Sequence, residues 1–167
     1  MRLGLLADIH EAVEPLRAAV HELRARQFDA FVVLGDVLES GERVDEAVEI
    51  LADLPGVGVW GNHDLGLCGE VPASMRTRFS SRALEYFARL RPWVDLAGSR
   101  FQHVDPHLDP EKLEDLWRFS TSEERVAGLR RCSHSRVFMG HHHRMGSLHP
   151  RGSDRLERGA SLSVSGR

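Results

Sequence analysis

The run Ala30-Phe31-Val32-Val33-Leu34 stops abruptly at Gly35-Asp36, and no other stretch restricts the architecture so tightly. Consecutive apolar residues without alternation read as a strand buried on both faces, which demands packed layers on either side. The glycine lets the backbone turn, so that the Asp36 carboxylate is delivered at the strand's carboxyl end. Residues 2–7 form an earlier short apolar strand ending in Asp8-Ile9-His10. Between the two strands Pro15 opens a helix with Leu16, Ala19, Val20 and Leu23 on one face. The chain therefore begins as a βαβ unit with parallel strands.

The same punctuation recurs downstream. A helix over 43–54 turns Val44, Ala47, Val48, Ile50, Leu51 and Leu54 inward and stops at Pro55-Gly56. Val57-Gly58-Val59-Trp60 is a third strand, running into Gly61-Asn62-His63-Asp64. In an open α/β sheet this carboxyl edge is where ligands bind. Residues 66–80 read as a loop over the site, and a helix over 81–90 shows Leu84, Phe87 and Leu90. Val94–Val104 reads as a hairpin turning at Gly98-Ser99, which does not belong in a purely βαβ chain and implies a second, partly antiparallel sheet. Residues 110–131 give two short helices, the later one with Thr121 and Glu124 at capping-box spacing. Arg136-Val137-Phe138-Met139 is a further strand, ending in Gly140-His141-His142-His143. Residues 144–167 are rich in Gly, Ser and Arg and show little periodicity.

Composition matters mainly through histidine. Of ten histidines, His10, His63, His141, His142 and His143 fall inside these short polar clusters. Asp8, His10, Asp36, Asn62, His103, His141 and His143 are candidate metal ligands from five strand ends, all nitrogen or hard oxygen and none thiolate. In Asp8-Ile9-His10 the alternation along an extended backbone would put both polar side chains on one side, as two ligands of one ion require. One ion cannot use seven groups, whereas two ions sharing a carboxylate can use four each, so a binuclear site is expected. The mixed imidazole and carboxylate set favours Mn, Fe, Co, Ni or Zn over Ca or Mg. Each cluster alone is ordinary turn chemistry; their joint placement at strand ends is what points to a site. Trp117 and Trp93 either shape a pocket or simply pack.

The net charge of −3 gives no electrostatic case for a nucleic-acid or membrane partner. Cys68 and Cys132 are too few and too far apart for a zinc knuckle or a disulfide framework, and both are expected reduced. The start of the chain is too short for a secretory h-region and no run approaches membrane-spanning length, so a cytoplasmic location is expected.

The series Asp8-Ile9-His10, Gly35-Asp36, Gly61-Asn62-His63-Asp64, His103 and Gly140-His141-His142-His143 resembles, in order and at plausible intervals, the five motifs of calcineurin-like metallophosphoesterases. The resemblance implies a metallophosphoesterase domain over 1–143, an α/β four-layer αββα sandwich with mixed sheets and its site at the strand carboxyl ends, with 144–167 as a tail able to complete the second sheet. It further implies that Asp8, His10, Asp36 and His143 hold one metal, and Asp36, Asn62, His103 and His141 the other. Two divalent ions roughly 3.5–4 Å apart share a water and lower its pKa, making the hydroxide that attacks phosphorus. Two carboxylates against four positive charges leave such a site net positive, which welcomes a phosphate oxyanion. His63, beside a ligand, is the residue to stabilise the transition state or protonate the leaving alkoxide. Glu39 stands where the family places the acidic residue that fixes this histidine.

Two departures bear on substrate. Relatives that dephosphorylate proteins carry an arginine next, and this chain has Ser40, which cannot form the bidentate clamp. Arg76, Arg78, His142 and Arg144 remain as phosphate contacts, with Asn62 able to touch substrate as well as metal. After His143 nothing matches the Asn-Pro-Gly-Ser-like stretch of relatives. The expected function is hydrolysis of a small phosphorylated substrate, a mono- or diester, nucleotides included, with two divalent ions, manganese foremost. The competing readings are a non-catalytic metal-binding scaffold, like the retromer subunit of this fold, and a DNA-repair nuclease. The nuclease is disfavoured by the absence of a basic stripe.

Overall fold

In the computed structural model, which describes residues 1–143, the layering follows from alternation along one strand. The elements leading to it are β1 (Leu3–Leu6), α1 (Val13–Ala25), β2 (Ala30–Val33), α2 (Val44–Ala52) and β3 (Gly56–Gly58). Phe31 and Val33 of β2 join a buried cluster with Leu16 and Val20 of α1 and Val44, Val48 and Leu51 of α2. Val32 and Leu34, pointing the opposite way, pack with Val59, Phe101 and Phe138. Side chains two apart share a face, so a strand buried on both sides serves two cores at once.

The order β1-β2-β3 is parallel throughout, with Leu3 opposite Ala30 and Leu6 opposite Val33. The chain continues through α3 (Leu65–Cys68), α4 (Ala73–Arg76) and α5 (Ser81–Arg89) into β4 (Trp93–Leu96) and β5 (Ser99–Gln102). It then passes α6 (Leu113–Leu116) and α7 (Ser122–Arg131) to reach β6 (Val137–Phe138). In the second sheet β5 is antiparallel to β4 and parallel to β6, as the hairpin implied. The Phe101 and Phe138 rings stack across the parallel pair at 4.9 Å. Helices α1, α2 and α5, the first sheet and the second sheet thus pack in succession.

Several expectations shift in detail. The hairpin turns at Ala97-Gly98 rather than at Gly98-Ser99, with φ of +51° and +73°, the mirror-image turn whose twist matches the strands. Helix α1 starts at Val13, so Pro15 lies within its first turn, where its missing N–H is not needed. Segment 66–80 is not an open loop over the site: it forms α3 and α4, and Leu67, Met75 and Phe79 pack onto the core. Both halves of the Thr121–Glu124 capping box are present. The residues 144–167 assigned to the second sheet, Arg144 among them, lie outside the described residues.

Two buried carboxylates tie the loops at the sheet edge together. Glu11 accepts backbone N–H bonds from Glu39, Gly41 and Arg43 and a hydroxyl from Ser40. Asp64 accepts from Val37 and Leu38 through Oδ1 and from Gly61 through Oδ2. Burial raises the Asp64 pKa, the N–H donors only partly offsetting it. For Glu11 burial also acts upward, but its donors outweigh it and the net shift is downward from 4.5. A lowered folded-state pKa gives stability that is present above the unfolded value and lost as pH falls through the folded one. Replacing Glu11 by Gln is expected to cost about 1–3 kcal/mol near neutrality in urea unfolding. The gap to wild type should close only as pH drops below the ordinary carboxylate range.

Candidate metal centre

All the polar clusters lie just past carboxyl ends: Asp8 and His10 after β1, Asp36 after β2, Asn62 and His63 after β3, His103 after β5, and His141 and His143 after β6. Parallel pairing in both sheets is what points these ends the same way. The turn at Gly35-Asp36 takes φ of +90° and +54°. A Cβ on Gly35 would come within 2.5 Å of the Gly61 nitrogen and 2.8 Å of His103 Nδ1, so only glycine lets the three segments meet. A Cβ on Gly61 would collide with the Asp36 carboxylate itself.

The route to convergence differs from the expected pleat. Asp8 and His10 are not extended but left-handed, with φ of +51° and +46°, as are His141 and His143. Such geometry costs a residue with a side chain about 1–2 kcal/mol, and strain of this kind gathers at functional sites. It is held by long-range bonds: Asp8 N–H to the Gly35 carbonyl, His10 N–H to the Asp36 carbonyl, and His141 N–H to Asp8 Oδ1 at 2.8 Å.

At the centre, Asp36 Oδ2 lies 3.6 Å from His10 Nε2 and 3.3 Å from His103 Nε2, while Oδ1 accepts the His63 N–H. On one side, donor atoms of Asp8, His10, Asp36 and His143 all lie within 4.8 Å of one another, His10 Nε2 and His143 Nε2 being 3.2 Å apart. On the other, Asn62 Oδ1 sits 3.1 Å from His103 Nε2 and 3.0 Å from His141 Nδ1.

Tautomers can be read from the outer contacts. His103 Nδ1 is 2.7 Å from the Leu34 carbonyl, which can only accept, so that nitrogen carries the proton. His10 Nδ1 likewise donates to Glu39 Oε2 at 2.7 Å. In the neutral rings both Nε2 lone pairs then aim at carboxylate and amide oxygens with no proton between them. A cation satisfies such a set, and outer acceptors that fix ring orientation are the usual accompaniment of metal-binding histidines. The residues present therefore fit divalent ions with nitrogen and oxygen ligands. Burial lowers the His103 pKa, but Asp36 and Leu34 outweigh it and raise it overall. Burial likewise pushes Asp36 up, and His103 overrides it downward.

The remaining candidates separate. His63 faces the cavity, its Nδ1 3.5 Å from Glu39 Oε2. Glu39, assigned from sequence to His63, makes its closer contact with His10, whose Nδ1 lies 2.7 Å from the same Oε2. His142 does not reach the cavity: its Nε2 lies 3.1–3.2 Å from both oxygens of fully buried Asp105. Arg76 donates to the Val71 carbonyl and Arg78 lies over Phe79, so neither contacts the centre. Cys68 donates to the Asp64 carbonyl, its thiol pKa raised by burial.

The cluster opens into a cavity of about 410 Å³ whose other walls are Trp117 and Phe119. Phe119 carried no sequence signal, nor did Glu11 or Asp105 as anchors. Asp64 did, by standing within Gly-Asn-His-Asp.

The calcineurin-like phosphoesterase superfamily domain matches residues 1–159. The chain is 29% identical over 164 residues to an uncharacterized protein of Methanocaldococcus jannaschii, covering 84% of this chain and 62% of that one. A crystal structure of a metallophosphoesterase from Sphaerobacter thermophilus superposes with a TM-score of 0.68 at 22% identity, over 86% of this chain and 61% of that chain. This chain thus spans a little under two thirds of each. With the domain match covering nearly its whole length, the chain belongs to the calcineurin-like phosphoesterase superfamily.

Proposed function

We propose that this chain hydrolyses phosphate esters, mono- or diesters, at a centre of two divalent metal ions. The observation that carries the proposal is the position of Asp36 Oδ2, shared between a cluster reached through His10 and one reached through His103. Asp8, His10, Asp36 and His143 would hold one ion, and Asp36, Asn62, His103 and His141 the other. Manganese suits these donors, as do Fe, Co, Ni and Zn. When bound, the ions would supply Lewis-acid charge to the phosphoryl oxygens and a water acidic enough to attack phosphorus near neutral pH.

The chain's own residues do the rest. His63, on the cavity wall, would pass a proton to the leaving alkoxide oxygen, the group least able to depart unaided. Glu39 accepts from His10 Nδ1 and lies 3.5 Å from His63 Nδ1, so one carboxylate orients a proposed ligand and the proposed acid together. Asn62 and the imidazoles bind without cancelling the charge of the ions. Ser40 donates to Glu11, 3.3 Å away, and not into the cavity, which supports a small substrate, nucleotides included, over a phosphoprotein. No extended nucleic acid is proposed as partner. Both cysteines are free, and among the described residues no helix is long and apolar enough to cross a membrane. Reduced thiols suit the cytoplasm, which we propose as the location.

The purified chain loaded with Mn²⁺ is expected to retain about two ions and to hydrolyse bis-p-nitrophenyl phosphate. Chelation should abolish turnover and added Mn²⁺ restore it; bound metal without turnover would favour the non-catalytic scaffold. Asp36→Asn should lose both metal and activity. His63→Ala should keep its metal while kcat falls roughly 10²-fold or more. Loss of metal from the His63 variant and not from the Asp36 variant would reverse these roles.

A further inference from the structure

Two large apolar side chains stand at the mouth of the centre in contact with solvent. Trp117 is 52% exposed and Phe119 66% exposed, yet both line the cavity. Exposed aromatic area is common singly; two such rings on one wall of a polar centre are unusual. Phe119 stacks on His141, ring centres 4.3 Å apart at 16°, and meets the His142 ring edge-on at 5.7 Å. Trp117 lies 5.3 Å from the His63 ring.

Their segment is built to hold still. Trp117 closes α6, and Thr121 caps α7 with the reciprocal Glu124 bond. Arg118 pairs with Glu124 at 2.6 Å, and Ser120 is buried with its hydroxyl 3.3 Å from His107 Nε2. Residues 118 and 120 thus anchor the strip while 117 and 119, alternating with them, face the cavity. Rigid rings with few rotatable bonds bind at low entropic cost. No Lys or Arg lines the cavity among the described residues, so the walls offer a substrate's organic portion apolar and stacking contacts rather than charge.

We infer that Trp117 and Phe119 form a stacking platform for a planar ring on the esterifying group, making the substrate class a nucleobase- or aryl-bearing phosphate ester. This deepens the phosphoesterase reading and rests on it for the phosphate, but not for the ring.

The test begins with ligands that cannot turn over. Calorimetry on the full Mn²⁺-loaded chain compares phenylphosphonate with methylphosphonate, and the phenyl compound is expected to bind roughly tenfold more tightly. Trp117→Ala and Phe119→Leu should bring that ratio towards one, and Trp117→Phe should preserve most of it. In parallel, kcat/KM is compared for the methyl diesters of thymidine 5′-phosphate, benzyl phosphate and methyl phosphate, which share alkoxide leaving groups and of which only the first two carry a ring. The loss caused by Trp117→Ala should be roughly tenfold larger for a ring-bearing diester than for dimethyl phosphate. A larger effect on the thymidine diester names a nucleobase, and on the benzyl diester a simple aryl group. Equal affinity of wild type for both phosphonates, or equal losses on all three esters, would overturn the platform. Phenyl selectivity in a chain that hydrolyses none of these diesters and no p-nitrophenyl phosphate would sustain the platform and overturn the hydrolase.

Discussion

A carboxylate held 2% exposed among imidazoles is the constraint on which the rest of this molecule depends. Burying Asp36 without partners would cost several kcal/mol, so the fold must bring it donors from far along the chain. It receives a backbone N–H from the β3 loop, and its second oxygen lies between rings carried by the β1 and β5 ends. Those groups cannot meet unless β1, β2 and β3 are parallel and the second sheet packs face to face on the first. The topology and the centre are two aspects of one packing solution.

Holding that solution calls for more than the central residues. Left-handed backbone at Asp8, His10, Asp36, His141 and His143 stores strain that short turns alone would release. Glu11 and Asp64 tie down the loops that follow β2 and β3, each gathering backbone N–H groups onto one carboxylate. Because the acceptors are side chains, the loops need no regular secondary structure, and they are free to deliver Glu39, Asn62 and His63 where no strand or helix could. Asp105 does similar work for His142, turning it away from the cavity between two residues that face it.

Charge is distributed unevenly around the cavity. Its floor is dense in acceptors and lone pairs, whereas the Trp117 and Phe119 wall carries no charged side chain. In small-molecule sites a few placed polar groups commonly fix a ligand's orientation while apolar walls bury the rest of it. Here the two surfaces come from different parts of the chain: the floor from strand ends, the wall from the short segment between α6 and α7.

By itself the sequence determined which residues could matter and roughly where each element lies. The Ala30–Leu34 run announced a strand buried on both faces, Thr121 and Glu124 a capped helix, and every polar cluster a strand end, because these depend on local periodicity and turn chemistry. What it could not carry was anything decided by contact between distant segments. The left-handed turns at Asp8 and His10 arise because their N–H groups bond to the β2 loop, a preference no local pattern encodes. Glu39 reached His10 rather than His63 alone, and segment 66–80 folded onto the core, for the same reason. Tertiary structure alone placed Phe119 beside His141, since an aromatic residue in a connecting segment acquires its role only from what the packed layers set opposite it.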